Sequence, residues 1–306
     1  MKDIFRSEQS LFRDVAKEKH KKLSSTFFIL IMPVIVLVIG GFGAAIFIRR
    51  MGLFYLKDWF DPAFYLPIEL MIGTGFAIVL VFLIVKFKEK RKISTLGLSI
   101  TTYSLGQYLR GFVLGIMMFG SSLAIIVLST DGEVSFQGIS LRSMLPFLFM
   151  LLAWVIQGAS EEILLRGYML PALAVRKGAK FAIITSSVYF AALHLGNSGI
   201  SFIGFMNIIL VGIFTTLYAI YEDSIWGVCG WHSAWNFAQG NLFGCLVSGI
   251  ELGGSSLFIT YLPEESELIT GGNFGPEASI IVTIIFLGAA YSLYRLLRNA
   301  AFISSH

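Results

Sequence analysis

The sequence predicts an all-α fold: a polytopic membrane protein built as a bundle of about eight transmembrane helices. Three observations lead there. Hydrophobic residues make up 56% of the 306-residue chain and charged residues 14%, against about 25% charged in an ordinary soluble domain. Several windows run about 18 residues or more with few or no charges, the length a helix needs to cross a bilayer. The cations, which leave a net charge of +4, sit in short clusters beside those windows, the densest being Lys86 to Lys92. Such placement sets topology and does not describe a nucleic-acid surface.

Residues 1–24 carry Lys2, Arg6, Arg13, Lys17, Lys19, Lys21 and Lys22, with Ile4, Leu11, Phe12 and Val15 near helical spacing. They read as an interfacial helix or a solvated tail. Span one covers 26–48, with Pro33 and the Gly40-Gly41-x-Gly43 cluster marking a kink or close packing. A loop with Lys57, Asp58 and Asp61 leads to span two at 63–85. Span three, 109–129, has Gly111 and Gly115 on one face, a packing motif. Span four starts near Met144 and runs to about Leu170. The others are expected at 181–195, 202–221, 225–246 and 279–297, with an acidic loop from Glu251 to Glu277 between the last two. Eight spans with both termini in the cytoplasm satisfy most of the lysine and arginine placement, Arg49 and Arg50 being the exceptions. Cys229 and Cys245 lie in apolar stretches and read as small core residues.

The most unusual stretch is Gln157 to Tyr168, where Glu161, Glu162 and Arg166 adjoin an apolar run. Ionisable groups at membrane depth are costly and are usually functional. On a helix Glu162 and Arg166 share a face and can pair, while Glu161 points elsewhere. Two of the four histidines, His194 and His232, also fall within expected spans; His20 and His306 lie near the ends of the chain. Glu161 stands 17 residues before Gly178 and His194 stands 16 after it. A hairpin turning at Gly178 therefore brings the two to nearly equal depth. Phe190 shares a face with His194, and Asn236 with His232. The four polar groups Glu161, His194, His232 and Asn236 can converge in one buried pocket. A carboxylate in an apolar site is a useful base near neutral pH. With His194 it can hold and deprotonate a water, while His232 and Asn236 offer donors to an oxyanion. Two imidazoles and a carboxylate are also a zinc set (Glu161, His194, His232), although no H-E-x-x-H helix is present.

These residues fall into three motifs: Glu161-Glu162-x-x-x-Arg166, Phe190-x-x-x-His194 and His232-x-x-x-Asn236. In that order they resemble the CPBP family, the CAAX proteases and bacteriocin-processing enzymes, over about residues 95–298. The stretch Gly271 to Glu277 is similar to bacterial members. The resemblance implies an intramembrane endopeptidase acting on a membrane-associated, prenylated or otherwise hydrophobic peptide. It implies Glu161 and His194 as water activators, His232 and Asn236 as oxyanion stabilisers, and Glu162, Arg166 and Phe190 in support. The family is described both as metalloproteases and as metal-free glutamate enzymes, so zinc stays open. The expected location is a bacterial cell membrane, with the lipid bilayer as partner and no nucleic acid. The expected divisions are a segment at 1–24, N-terminal spans and linker at 25–108, a catalytic core at 109–298 and a tail at 299–306. Two other readings stand beside the peptidase: a non-proteolytic partner such as an immunity or regulatory protein, and a proton-coupled transporter, against which the lack of internal repeats counts.

Overall fold

A computed structural model describes residues 10–17, 23–55, 62–138, 140–252 and 256–303. His20, His306, the 57–61 loop charges and most of the 1–24 segment lie outside the described residues. The described chain is almost wholly helical. Its α-helices of eight residues or more are α1 (Ser10–Lys17), α2 (Thr26–Arg50), α3 (Pro62–Leu83), α4 (Ser104–Ser129), α5 (Leu141–Glu162), α6 (Leu170–Lys177), α7 (Ala179–Ala192), α8 (Phe202–Glu222), α9 (Trp226–Phe237) and α10 (Ile280–Ile303). A small antiparallel ribbon, β1 (Glu133–Phe136) with β2 (Phe258–Tyr261), ties two loops together, Glu133 facing Tyr261.

Six helices among the described residues are long and apolar enough to cross a membrane. The chain is an integral membrane protein. Two of the eight expected spans are shorter helices instead. The 181–195 span is α7, which stops at Ala192 and leaves His194 in the turn beyond it. The 225–246 span is α9 followed by a π-helical turn, Ala238–Leu242. Hydropathy alone cannot separate a lipid-facing span from a protein-buried helix, and α9 is the latter: every residue from Gly227 to Phe237 is buried. The last helix also runs past the expected tail boundary at 299, to Ile303, because no breaker follows Arg298.

Missing side chains let α9 sit at the centre. A Cβ on Gly111 would land on the Gly227 carbonyl, and one on Gly115 would stand 2.8 Å from Ala234 Cβ, so α4 lies directly against α9. On the other side a Cβ on Gly158 would stand 2.7 Å from Ser233 N, which marks the closest approach of α5. The far face of α9 is aromatic: Trp231 and Trp235 meet Phe286 of α10 with centroids 5.8 and 5.1 Å away, and Phe214 of α8 meets Trp231 at 5.0 Å. The expected hairpin turn is present between α6 and α7, where Gly178 has φ +89°, a conformation that favours glycine. The other face of the bundle exposes large apolar residues such as Phe27, Phe42 and Ile46, as a lipid-facing surface does.

Around α1 lies a buried polar cluster. Arg91 Nε donates to Glu89 Oε2 at 2.8 Å, and Tyr168 Oη and Ser24 N donate to Glu89 Oε1. Arg176 holds the Ser24 carbonyl at 2.7 Å. Leu11, Phe12 and Val15 are buried, and Leu11 N donates to Asp223 Oδ1 at 2.9 Å. The start of α2 is thus fastened to the end of α3 and to the helix that follows Glu161 and Glu162.

Candidate active site

Glu161 and Glu162 occupy the last turn of α5. From Ile163 to Met169 the helix widens to π geometry before α6 begins. Such wide turns are rare and cluster at functional sites. Here the wide turn carries Arg166, whose side chain is fully buried. Its Nη1 reaches Glu162 Oε1 at 3.3 Å, and its guanidinium lies 4.6 Å from the Phe190 ring centroid. A charge with no access to water needs such partners.

Glu162 has a second partner across the interface. His232 Nδ1 donates to Glu162 Oε1 at 2.8 Å. This fixes the ring and turns His232 Nε2 toward Glu161 Oε2, 3.8 Å away. That carboxylate oxygen has no hydrogen-bond partner among the described residues. Glu161 Oε1, by contrast, accepts from Gln157 Nε2 at 2.6 Å. Gln157 Oε1 in turn accepts from Asn236 Nδ2 at 2.9 Å. His194, in the turn after α7, donates through Nδ1 to the Phe190 carbonyl at 2.8 Å. The carbonyl can only accept, so Nδ1 carries the proton and the neutral ring keeps its lone pair on Nε2. Phe190 stands edge-on to both imidazoles, its centroid 4.9 Å from His194 and 6.0 Å from His232.

Glu161, His194, His232 and Asn236 all line one cavity of about 380 Å³. Its remaining wall is mainly apolar, including Leu37 of α2, Leu70 of α3 and Phe286. The geometry differs from the expected pairing in one respect. The imidazole nearest Glu161 is His232, and no ion pair joins Glu161 to His194 among the described residues. The three-residue metal set is not assembled either. Among the described residues no three His, Cys, Asp or Glu side chains gather closely enough to hold a metal ion. In this arrangement His232 and Glu162 are bonded to each other and His194 is bonded to the backbone, so the metalloprotease expectation lacks a ligand cluster.

Gln157 and Glu277 are among the cavity residues that the sequence reading did not assign to the site. Gln157 opens the stretch already singled out and stands one helical turn before Glu161, a spacing that signals contact. Glu277, within the Gly271 to Glu277 stretch, lines the cavity from a loop. Its Oε2 accepts from Ser248 N at 3.0 Å and Ser248 Oγ at 2.8 Å, and its Oε1 from Trp235 Nε1 at 3.3 Å. It lies outside the membrane-spanning helices. Burial pushes its carboxyl above the usual range, although the hydrogen bonds from Ser248 and Trp235 pull it back. A larger concavity of about 580 Å³ lies among the loops between residues 240 and 276 and includes none of the four polar groups.

Residues 143–238 match the family described as type II CAAX prenyl endopeptidase Rce1-like. All three motifs fall inside that region, and the match agrees with the resemblance to the CPBP family. No curated protein matches the chain significantly.

Proposed function

We propose that this protein is an intramembrane endopeptidase that hydrolyses a peptide bond of a membrane-associated, lipidated or hydrophobic peptide, with Glu161 as the base. The family match over residues 143–238 supports the reaction class. One observation carries the residue assignment. Glu161 lines a cavity shared with His194, His232 and Asn236, and its Oε2 has no hydrogen-bond partner among the described residues, His232 Nε2 standing 3.8 Å away.

In this reading, Glu161 and the free Nε2 of His194 hold a water. The water oxygen attacks the scissile carbonyl carbon, and Glu161 takes the proton that is released. The carbonyl oxygen becomes an oxyanion, and Asn236 Nδ2 and a protonated His232 Nε2 donate to it. The Glu162 carboxylate on His232 Nδ1 balances that second proton. When the C–N bond breaks, the proton held by Glu161 passes to the leaving amine. Positioned proton transfer of this kind is worth about 10²–10⁴ in rate. The apolar cavity wall suits a lipid chain or an apolar peptide segment. Clusters such as Lys86 to Lys92 support cytoplasmic termini in a cell membrane.

The test is cleavage of a quenched-fluorescent farnesylated CAAX peptide by protein reconstituted in liposomes. Wild type should cleave it and Glu161→Ala should not. Equal cleavage by the two removes Glu161 from the mechanism. A wild type inert toward lipidated and unlipidated apolar peptides alike would favour a non-proteolytic partner role.

A further inference from the structure

We infer that Gln157 is a positioning residue that locks the water-activating carboxylate and the oxyanion amide into one register. The inference rests on the endopeptidase reading for its catalytic consequence, but the bridge itself stands on geometry.

Gln157 touches both ends of the proposed machinery. It donates to Glu161 Oε1 at 2.6 Å and accepts from Asn236 Nδ2 at 2.9 Å. A carboxylate only accepts, so the Gln157 amide must present its NH₂ to Glu161 and its oxygen to Asn236. Asn236 must then answer with its own NH₂, one hydrogen toward Gln157 and the second left for the cavity. The chain of donors therefore sets the orientation of two amides that would otherwise be free to flip. It also divides the labour of the Glu161 oxygens. Oε1 is held by an N–H, and Oε2 has no hydrogen bond among the described residues, with His232 Nε2 3.8 Å away. Of the two oxygens, Oε2 is the one with no donor to displace when a proton is taken from water.

The backbone is built to allow this. Gln157 and Glu161 are one turn apart on α5. Its neighbour Gly158 brings α5 so close to Ser233 that a side chain there would collide. That approach brings the short Asn236 side chain of α9 within reach of Gln157. Gln157 is itself buried, so water cannot easily replace it.

The experiment compares wild type with Gln157→Met, which keeps volume and removes both bonds, and Gln157→Asn, which keeps the amide on a shorter arm. Kinetics are measured on the farnesylated CAAX peptide, and side-chain amide resonances on selectively ¹⁵N-glutamine-labelled protein. Gln157→Met should lower kcat tenfold or more with KM within about twofold, and Gln157→Asn should recover part of the loss. A kcat within threefold of wild type for Gln157→Met, or a loss confined to KM, overturns the inference. If wild type cleaves nothing, the endopeptidase reading fails and the resonances decide the bridge. Glu161→Leu and Asn236→Leu should each move the Gln157 amide signal. A signal that neither substitution moves overturns it.

Discussion

Glu162 Oε1 accepts from His232 Nδ1 at 2.8 Å while it also stands 3.3 Å from Arg166 Nη1, so one oxygen serves a stability contact and a site contact together. The side chains of Glu162 and Arg166 are fully buried. Removing the charge of Glu162 strands a guanidinium away from water, a change that costs about 3–5 kcal/mol. Glu162→Gln should therefore unfold more readily in detergent and also turn over more slowly. Glu162→Gln with Arg166→Met should regain stability, because the stranded charge is gone, yet stay slow, because His232 still lacks its carboxylate. Thermal unfolding and peptide cleavage on the same samples separate the two effects. Recovery of turnover in the double variant would show that Glu162 acts only through Arg166.

Asn236 offers a second, independent handle. Losing one donor to a developing oxyanion costs about 10²–10³ in kcat. Asn236→Leu should show a loss of that size with KM nearly unchanged, since the donor matters only once the carbonyl oxygen carries charge. A loss appearing mainly in KM would move Asn236 from transition-state stabilisation to substrate binding.

Much of this arrangement was legible in the sequence. Apolar length revealed the long helices, and the turn at Gly178 followed from the glycine beside Lys177. The i, i+4 rule anticipated the Glu162–Arg166 pair. What escaped were relationships that depend on the third dimension. The bond between Glu162 and His232 spans α5 and α9, and no spacing rule relates them. The end of α7 at Ala192 was missed because the apolar run continues through Leu193 and Leu195, whereas the backbone turns there and His194 Nδ1 binds the Phe190 carbonyl. The central burial of α9 was also hidden. Its composition resembles a span, and only the glycines facing it show that protein, not lipid, surrounds it.

Those glycines make a stability prediction. Gly111→Ala and Gly158→Ala each force a methyl into backbone of α9 and should cost about 1–3 kcal/mol by overpacking. Gly41→Ala on α2 has open space around it and should be neutral or stabilising by up to about 1 kcal/mol, since alanine is the better helix former. Unfolding midpoints of the three variants check the ranking. A Gly158→Ala protein as stable as wild type would mean that α5 and α9 lie further apart than the contact with Ser233 requires.

Glu277 links the stability of the fold to pH. Its carboxyl is raised from 4.5 chiefly by burial, so the folded protein holds that proton more tightly than the unfolded chain does. Between the two values the folded state binds more protons, and stability must fall as pH rises. The contribution is fully present below about 4.5 and is lost as pH climbs through the higher folded value. Above it, a buried carboxylate remains, held by Ser248 and Trp235. Glu277→Gln keeps the shape and an oxygen for Ser248 N–H but cannot titrate. Its unfolding midpoint should decline less than that of wild type from acid toward neutral pH, and the two curves should converge or cross as pH rises. Parallel curves over that range would mean that burial does not dominate at Glu277 and that its hydrogen bonds fully offset the loss of water.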